Sequence, residues 1–167
     1  LITELLDVAR IDTGRLSVRK EPVRLGPVLT SLLEPMEPPS GRTLTFLAEG
    51  DPTVWVDRDR LAQVLANLVE NAFAHGDGDV TVVLRALPDD GAELVVDDEG
   101  EGIAEDIRPR IFTKFWRHGR AGGSGLGLFI VSGLVDAHGG SVSVERSASG
   151  GARMRVTLPQ GEPPGLS

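Results

Sequence analysis

Two pairs of short apolar strands, each closed by a tight turn, restrict this chain more than any other feature. "DVTVVLRA" (79–86) and "AELVVDD" (92–98) flank Pro88-Asp89-Asp90-Gly91, and "SVSVERS" (141–147) and "ARMRVTL" (152–158) flank Ser149-Gly150-Gly151. Apolar runs separated by Gly, Asp and Ser turns predict hairpins. Hairpins give antiparallel pairs, whereas a Rossmann sheet is assembled from parallel strands with helical crossovers. One helical stretch precedes the first hairpin and another lies between the two. The expected fold is α+β: a two-layer α/β sandwich, its sheet mixed but mostly antiparallel, with helices on one face.

The clearest helix is "RDRLAQVLANLVENAFAHG" (58–76), capped by Asp57 and ended by Gly76. Leu61, Val64, Leu65, Leu68 and Ala72 make its core face. Gln63, Asn67 and Asn71 recur one turn apart on another face, with Glu70 beside them. Asparagine is a poor residue in mid-helix, and two in successive turns require a reason. A neutral amide supplies an acceptor and two donors, which suits a ligand or a hydrated metal ion. The second helix, "SGLGLFIVSGLVDAHGG" (124–140), is entered through glycines and closed by Gly139-Gly140, with His138 at its C-terminal end.

The N-terminal region is weaker in signal. "LITELLDVARI" (1–11) sets Ile2, Leu5, Leu6 and Ala9 on one stripe, with Leu1 and Val8 at its border and Thr13-Gly14 as the stop. Eleven residues are marginal as an isolated helix, so a longer partner helix or coiled coil is expected. Residues 16–25 read as extended, 27–34 as a short helix with Pro27 in its first turn, and 43–48 and 53–56 as strands. The tail 161–167 has too little apolar content to be held and is expected to be disordered.

Length and charge set outer limits. The 167 residues suffice for one domain with a proper core. A formal charge of −8 opposes a nucleic-acid-binding surface. The absence of cysteine removes disulfide frameworks and thiolate metal sites. No apolar run reaches the length of a membrane span and no signal peptide is visible, so direct membrane contact is not expected. The chain begins at Leu1 inside what reads as a helix, and a fragment of a longer protein is therefore expected.

Three further stretches carry chemistry. "DDEGEGIAED" (97–106) places Gly100 and Gly102 among acids, an unfavourable setting for phosphates. Asp98, at the end of an apolar strand, can instead accept a hydrogen bond from an exocyclic amine, with the glycines allowing a flat ring to approach. "GGSGLGL" (122–128) carries no acid and leads into a helix, a natural site for phosphate on free backbone N–H groups. Between them, "IFTKFWRHGRAGG" (111–123) brings Lys114, Arg117, His118 and Arg120 together with the aromatic anchors Phe112, Phe115 and Trp116. Each stretch has a plain structural alternative: an acidic turn, a flexible loop, or a basic surface loop.

Taken together, "NLVENA", "DDEGEGI", "IFTKFW" and "GSGLGL" resemble the asparagine box, first glycine box, phenylalanine box and second glycine box of bacterial sensor histidine kinases. Those kinases belong to the Bergerat-fold ATPase superfamily, with gyrase, a class of heat-shock chaperones and mismatch-repair ATPases. "LLDVARIDTGRLSVRKEPVRLGPVL" (5–29) resembles the join between the kinases' dimerisation helix and their ATP-binding domain. The resemblance implies the end of a dimerisation helix over 1–14 and a catalytic ATP-binding domain over 15–160. It implies ATP and Mg²⁺ as cofactors. Asp98 would take the adenine amine, with Gly100, Gly102 and Ile103 shaping that pocket. Asn71 would ligate Mg²⁺, with Asn67 lining the same site and His75 in contact with nucleotide. Residues 104–123 would form a lid including Phe112, and Gly123, Ser124, Gly125, Leu126, Gly127 and Leu128 would meet the phosphates with Lys114 or Arg117 assisting.

The same resemblance implies γ-phosphate transfer to a histidine on the dimerisation domain, a homodimeric and membrane-anchored parent, a cytoplasmic catalytic domain, and a response regulator as partner. Asn67 stands where the superfamily's hydrolases typically carry a glutamate, which favours transfer over hydrolysis. Two departures are visible: Ala74 replaces a common Lys or Arg, and the lid is short. None of His75, His118 and His138 stands in a phosphoacceptor motif. An ATP hydrolase and a degenerate nucleotide-binding interaction module remain the alternatives.

Overall fold

A computed structural model of the protein describes residues 2–116 and 125–161. Helix α3, Arg58–His75, is the element most fully explained by its own sequence. The Asp57 carboxylate accepts from the N–H groups of Asp59 at 3.1 Å and Arg60 at 3.2 Å, two donors that a helix start otherwise leaves unpaired. At the other end the Gly76 N–H returns to Ala72 O at 3.0 Å. Leu61, Val64, Leu65, Leu68 and Ala72 are all buried, as their spacing predicts.

This face lies on a five-stranded sheet together with α4, Gly127–Ala137. The strands are β2 (Leu44–Glu49), β4 (Val80–Ala86), β5 (Ala92–Asp97), β6 (Ser141–Arg146) and β7 (Ala152–Leu158). Their spatial order is β2-β4-β5-β7-β6, with β2 parallel to β4 and every other pair antiparallel. The two expected hairpins are thus β4–β5 and β6–β7. The expected two-layer α/β sandwich with a mixed, mostly antiparallel sheet is the observed fold. On the face away from the helices, Glu49, Arg85, Glu93, Arg155, Glu145, Arg153 and Asp97 form a chain of ion pairs across all five strands.

A second, small sheet pairs β1 (Glu21–Arg24) with β3 (Thr53–Val56), with α2 (Leu25–Leu33) following β1 directly. Three details differ from the sequence reading. The extended stretch expected over 16–25 becomes a strand only from Glu21, because the Arg19 N–H bonds the Asp57 carboxylate at 2.9 Å instead of a neighbouring strand. Pro22 lies in a two-stranded ribbon, where a missing N–H costs little. Helix α2 starts two residues before Pro27.

The third difference concerns α1, Ile2–Asp12. Its inward face is Asp7, Val8 and Ile11, not the expected stripe, and Ile2, Leu5 and Leu6 are exposed. Asp7 sets that rotation: buried to 2% exposure, it accepts from Arg60 Nη1 at 3.0 Å and from Gln63 Nε2 at 2.9 Å, both on α3. Ile11 packs against Gly133 of α4, where even a methyl group would lie 2.5 Å from it.

His138, at the end of α4, ties the two long helices together. Its Nδ1 bonds Leu134 O at 2.7 Å, and its Nε2 accepts the Asp57 N–H at 3.0 Å. Burial lowers the pKa of this imidazole, against the raising effect of the Leu134 bond. The neutral form that the Nε2 acceptor role demands is therefore the favoured one. Burial pushes the Asp57 carboxyl up, but the N–H groups of Arg19, Arg60 and Asp59 outweigh it and hold it below the ordinary value.

Candidate nucleotide site

Strand β5 runs through the middle of the sheet and delivers Asp98 just past its end, buried to 5% exposure. The residue is held on several sides. Its N–H bonds Ala152 O at 3.0 Å. Its Oδ1 accepts from Gly100 N at 2.9 Å and from Ala152 N at 3.0 Å. Its carbonyl accepts from the Ser147 and Ser149 hydroxyls at 2.9 and 3.1 Å. Oδ2 receives no donor from the described residues and lies beside Gly76. One carboxylate oxygen is thus spent on position, and the other carries no bond from the described residues.

Asp98 lines a cavity of about 700 Å³, within the range of small-ligand sites. Helix α3 contributes Asn67, Glu70, Asn71, Ala74 and His75 along one wall. Asn67 Nδ2 donates to Gly127 O at 3.3 Å, which ties α3 to the first turn of α4. No described residue bonds the Asn71 amide, so its oxygen is available. Glu70, one position earlier, also reaches the lining, although its place on the helix suggested another bearing.

The first glycine loop forms the next wall. Gly100 approaches the Gly76–Asp77 backbone so closely that a Cβ would lie 3.0 Å from Gly76 Cα. Gly102 adopts φ +79°, a conformation that L side chains avoid. Ile103, Ile107 and Ile111 add apolar surface, and a 3₁₀ turn at Arg108–Arg110 follows, held in part by Arg108 Nε on Ile103 O at 3.0 Å. Trp116 closes this side, its indole N–H buried and without an acceptor among the described residues.

The start of α4 supplies Gly125, Gly127 and Leu128 to the lining. Gly125, at φ +75°, lies so close to Phe115 that a Cβ would come within 2.7 Å of its carbonyl carbon. Leu126 is fully buried in the core and Phe112 packs against the core, so neither side chain lines the cavity. Lys114 does not line it either. Its Nζ pairs with Asp12 of α1 at 2.5 Å and stands 5.9 Å from the centre of the Phe129 ring. Arg117, Gly123 and Ser124 lie outside the described residues, as do His118, Arg120 and most of the basic stretch.

The electrostatics are lopsided. Glu4, Glu70, Asp77, Asp98, Glu99 and Glu101 line the cavity, and no described lining residue is Lys or Arg. Glu4 comes from α1, a contribution with no signal in the sequence. Ser147, Ser149, Gly151 and Ala152, which support Asp98, were also unmarked; the Gly150-Gly151 pair after a strand spoke only of a turn.

A buried carboxylate at a strand end, paired amides on a helix and a glycine-lined helix start around one cavity define a nucleotide-binding α/β sandwich. Residues 56–162 match the family described as Histidine kinase-, DNA gyrase B-, and HSP90-like ATPase. The sensor histidine kinase component HK1 of Mycobacterium tuberculosis is 39% identical over 128 residues, covering 75% of this chain and 76% of that one. The probable sensor histidine kinase HK of Mycobacterium tuberculosis is 35% identical over 167 residues, and the match spans 98% of this chain but 44% of that protein. Among solved structures, full-length ShkA in complex with AMPPNP matches with a TM-score of 0.85 and 30% identity, over 97% of this chain and 35% of that one. The chain belongs to this ATPase family, as the ATP-binding catalytic domain of a sensor histidine kinase.

Proposed function

We propose that this domain binds ATP together with Mg²⁺ and presents the γ-phosphate to a histidine on a dimerisation domain of its parent protein. The single observation that carries the reading is Asp98, with Oδ1 fixed by two backbone donors and Oδ2 left open to the cavity. An aspartate held in that way accepts the exocyclic amine of adenine, and Gly100 and Gly102 admit the ring. The phosphates then extend towards Asn71 and the start of α4, where Gly125, Gly127 and Leu128 line the cavity.

The donor set fits Mg²⁺, which prefers hard oxygen ligands and takes few from protein. Asn71, with its amide free of described partners, would hold it, and Asn67 would keep α3 and α4 in register beside it. Bound there, the ion supplies charge neutralisation for the phosphates in a cavity lined by carboxylates. Either Lys114 or Arg117 remains the proposed phosphate contact from the lid, and His75 a contact to nucleotide. For Lys114 this requires release from Asp12.

In the transfer, an imidazole nitrogen of the acceptor attacks phosphorus, the bond from the γ-phosphorus to the β–γ bridging oxygen breaks, and ADP leaves while the imidazole gives up its proton. Catalysis then rests on position and charge, with little covalent chemistry for the domain itself. The parent would dimerise through the helix that ends in α1, whose exposed Ile2, Leu5 and Leu6 await a partner helix, and would pass the phosphoryl group to a response regulator. Membrane anchoring belongs to the same proposal for the parent.

Calorimetric titration of Mg·ATP tests the reading. Asp98→Asn and Asn71→Ala should each weaken binding by roughly ten- to a hundredfold, the worth of a hydrogen bond to a charged group or a metal ligand. Full affinity in both variants would sink it. Because Glu70 also lines the cavity, hydrolysis is the second reading. An ATPase rate in the isolated chain that Glu70→Gln abolishes would establish that reading instead.

A further inference from the structure

The turn between β6 and β7 is built around Asp98 in a way that a plain hairpin does not require. Ser147 is buried to 5% exposure, and its hydroxyl donates to Asp98 O at 2.9 Å across 49 residues of chain. Ser149 donates to the same oxygen at 3.1 Å. The two hydroxyls stand 3.1 Å apart, and each has one proton. With both protons on the Asp98 carbonyl, its two lone pairs are filled. On the other side of the same peptide plane, the Glu99 N–H bonds Asp77 O at 3.0 Å. The 98–99 peptide is therefore clamped at both edges.

The turn itself is tightened to allow this. Ser147 N bonds Gly151 O at 2.8 Å, and Gly150 N returns to Ser147 O at 3.0 Å. Gly151 lies so close that a Cβ would stand 2.2 Å from Asp98 O and 2.5 Å from its Oδ1. Gly102, in the facing glycine loop, would place a Cβ 2.9 Å from Gly150 O. The serine turn thus packs against the loop that follows Asp98 as well as against Asp98.

We propose that Ser147, assisted by Ser149, is a positioning residue for Asp98: the β6–β7 turn aims the free carboxylate oxygen and so sets how well the domain reads the exocyclic amine of its nucleotide base. This rests on the reading of Asp98 as the base acceptor. Neither serine touches the ligand in this role. The aim is transmitted through the 98–99 peptide plane, which fixes the origin of the Asp98 side chain.

The test compares ATP with purine riboside 5′-triphosphate, which is ATP without the exocyclic amine, both titrated with Mg²⁺ into the chain and its variants. Ser147→Ala should weaken ATP about three- to tenfold, the worth of one hydrogen bond, and leave the purine analogue unchanged. Ser147→Thr, which keeps the hydroxyl, should recover most of the ATP affinity. That rescue is a second readout that does not depend on how tightly the analogue binds. Should Ser147→Ala fail to fold by circular dichroism, the same comparison is read from Ser149→Ala. Equal weakening of both nucleotides, no rescue by Ser147→Thr, or unchanged ATP affinity in the folded variants would overturn the proposal. Asp98→Asn separates the two levels. If it weakens ATP and the serine variants do not, the positioning role alone fails. If it too has no effect, the base reading fails with it.

Discussion

Asp98 at one end of the cavity is bonded through its N–H, its carbonyl and its Oδ1, whereas the Asn71 amide, on the α3 wall, has no described partner at all. Around Asp98 the backbone closes in at Gly76, Gly100 and Gly151–Ala152, and the Ser147 and Ser149 hydroxyls add to it. On the side of Asn71 the described walls are the α3 face and the start of α4. A base is flat, nearly neutral and always the same shape, so a rigid socket can be prepared for it. A triphosphate with its metal is charged and flexible, and it must be surrendered in part during the reaction. Preorganisation is worth most where nothing has to change.

The largest expected break in this contrast is Gly151→Ala. A methyl group 2.2 Å from the Asp98 carbonyl oxygen has nowhere to go, since that carbonyl is held by two serine hydroxyls and Gly151 by its own bond to the Ser147 N–H. Overpacking of this kind costs about 1–3 kcal/mol of stability. Moving Asp98 adds the loss of a charge-assisted bond to the ligand, roughly ten- to a hundredfold in ATP affinity. Thermal unfolding and calorimetry on one preparation would separate the two effects. A variant with unaltered ATP affinity would show that the socket is softer than its contacts imply.

Removal of Mg²⁺ probes the opposite end. With six carboxylates lining the cavity and no Lys or Arg among its described lining residues, free ATP meets repulsion that the cation offsets. Chelation should weaken ATP on the order of tenfold and adenosine hardly at all. Equal affinity for ATP with and without the metal would mean that cations outside the described residues dominate.

How far this contrast is visible in the sequence follows from the range of each interaction. The socket announced itself through Asp98, Gly100 and Gly102 because strand end and glycine loop are neighbours in the chain. The amides Asn67 and Asn71 were legible as a helical repeat. By contrast, Arg60 and Gln63 meet Asp7 across 53 and 56 residues, and Lys114 meets Asp12 across 102. No local pattern encodes such distances. The stripe of α1 was therefore rotated in expectation, since a buried aspartate outranks exposed leucines once its arginine is known. The pairing of β1 with β3 was invisible for the same reason: two four-residue strands carry no record of their partner.

Acidity tests the frame that both ends share. His138 is neutral in the fold and has its pKa lowered from 6.5 by burial, with Lys20 also lowering it and Asp57 opposing. The unfolded chain takes up the proton first as pH falls. The associated stability is therefore complete above about pH 6.5 and is lost as pH drops towards the folded value. Asp57, with its depressed carboxyl, loses its contribution in a separate and more acidic window, below its ordinary 3.8. A His138→Gln variant should flatten the unfolding midpoint between pH 7 and the onset of the acidic window. A slope identical to that of the parent chain would assign the effect to other groups.

Smallest of all should be Lys114→Ala. Its ammonium pairs with Asp12 at a half-exposed site, where such pairs contribute about 0–1 kcal/mol. Less than about a threefold change in Mg·ATP affinity is expected. A tenfold loss would show that Lys114 leaves Asp12 for the phosphates when nucleotide binds, and would make the open end more like the closed one.

The parallel pairing of β2 with β4 has a consequence for how the chain reaches this structure. The hairpins β4–β5 and β6–β7 close over a few residues, whereas β2 meets β4 across β3 and the whole of α3. Loop closure over such a span is entropically slower than over a tight turn. The β5–β7 pairing spans still more chain, from Asp97↔Arg153 to Ala92↔Leu158, so the two hairpins are local units that are joined to one another, and to β2, only over long stretches of chain. During synthesis β2 leaves the ribosome before β4, so its edge stands unpaired until α3 and the strand it pairs with have followed, while β1 and β3 already have each other.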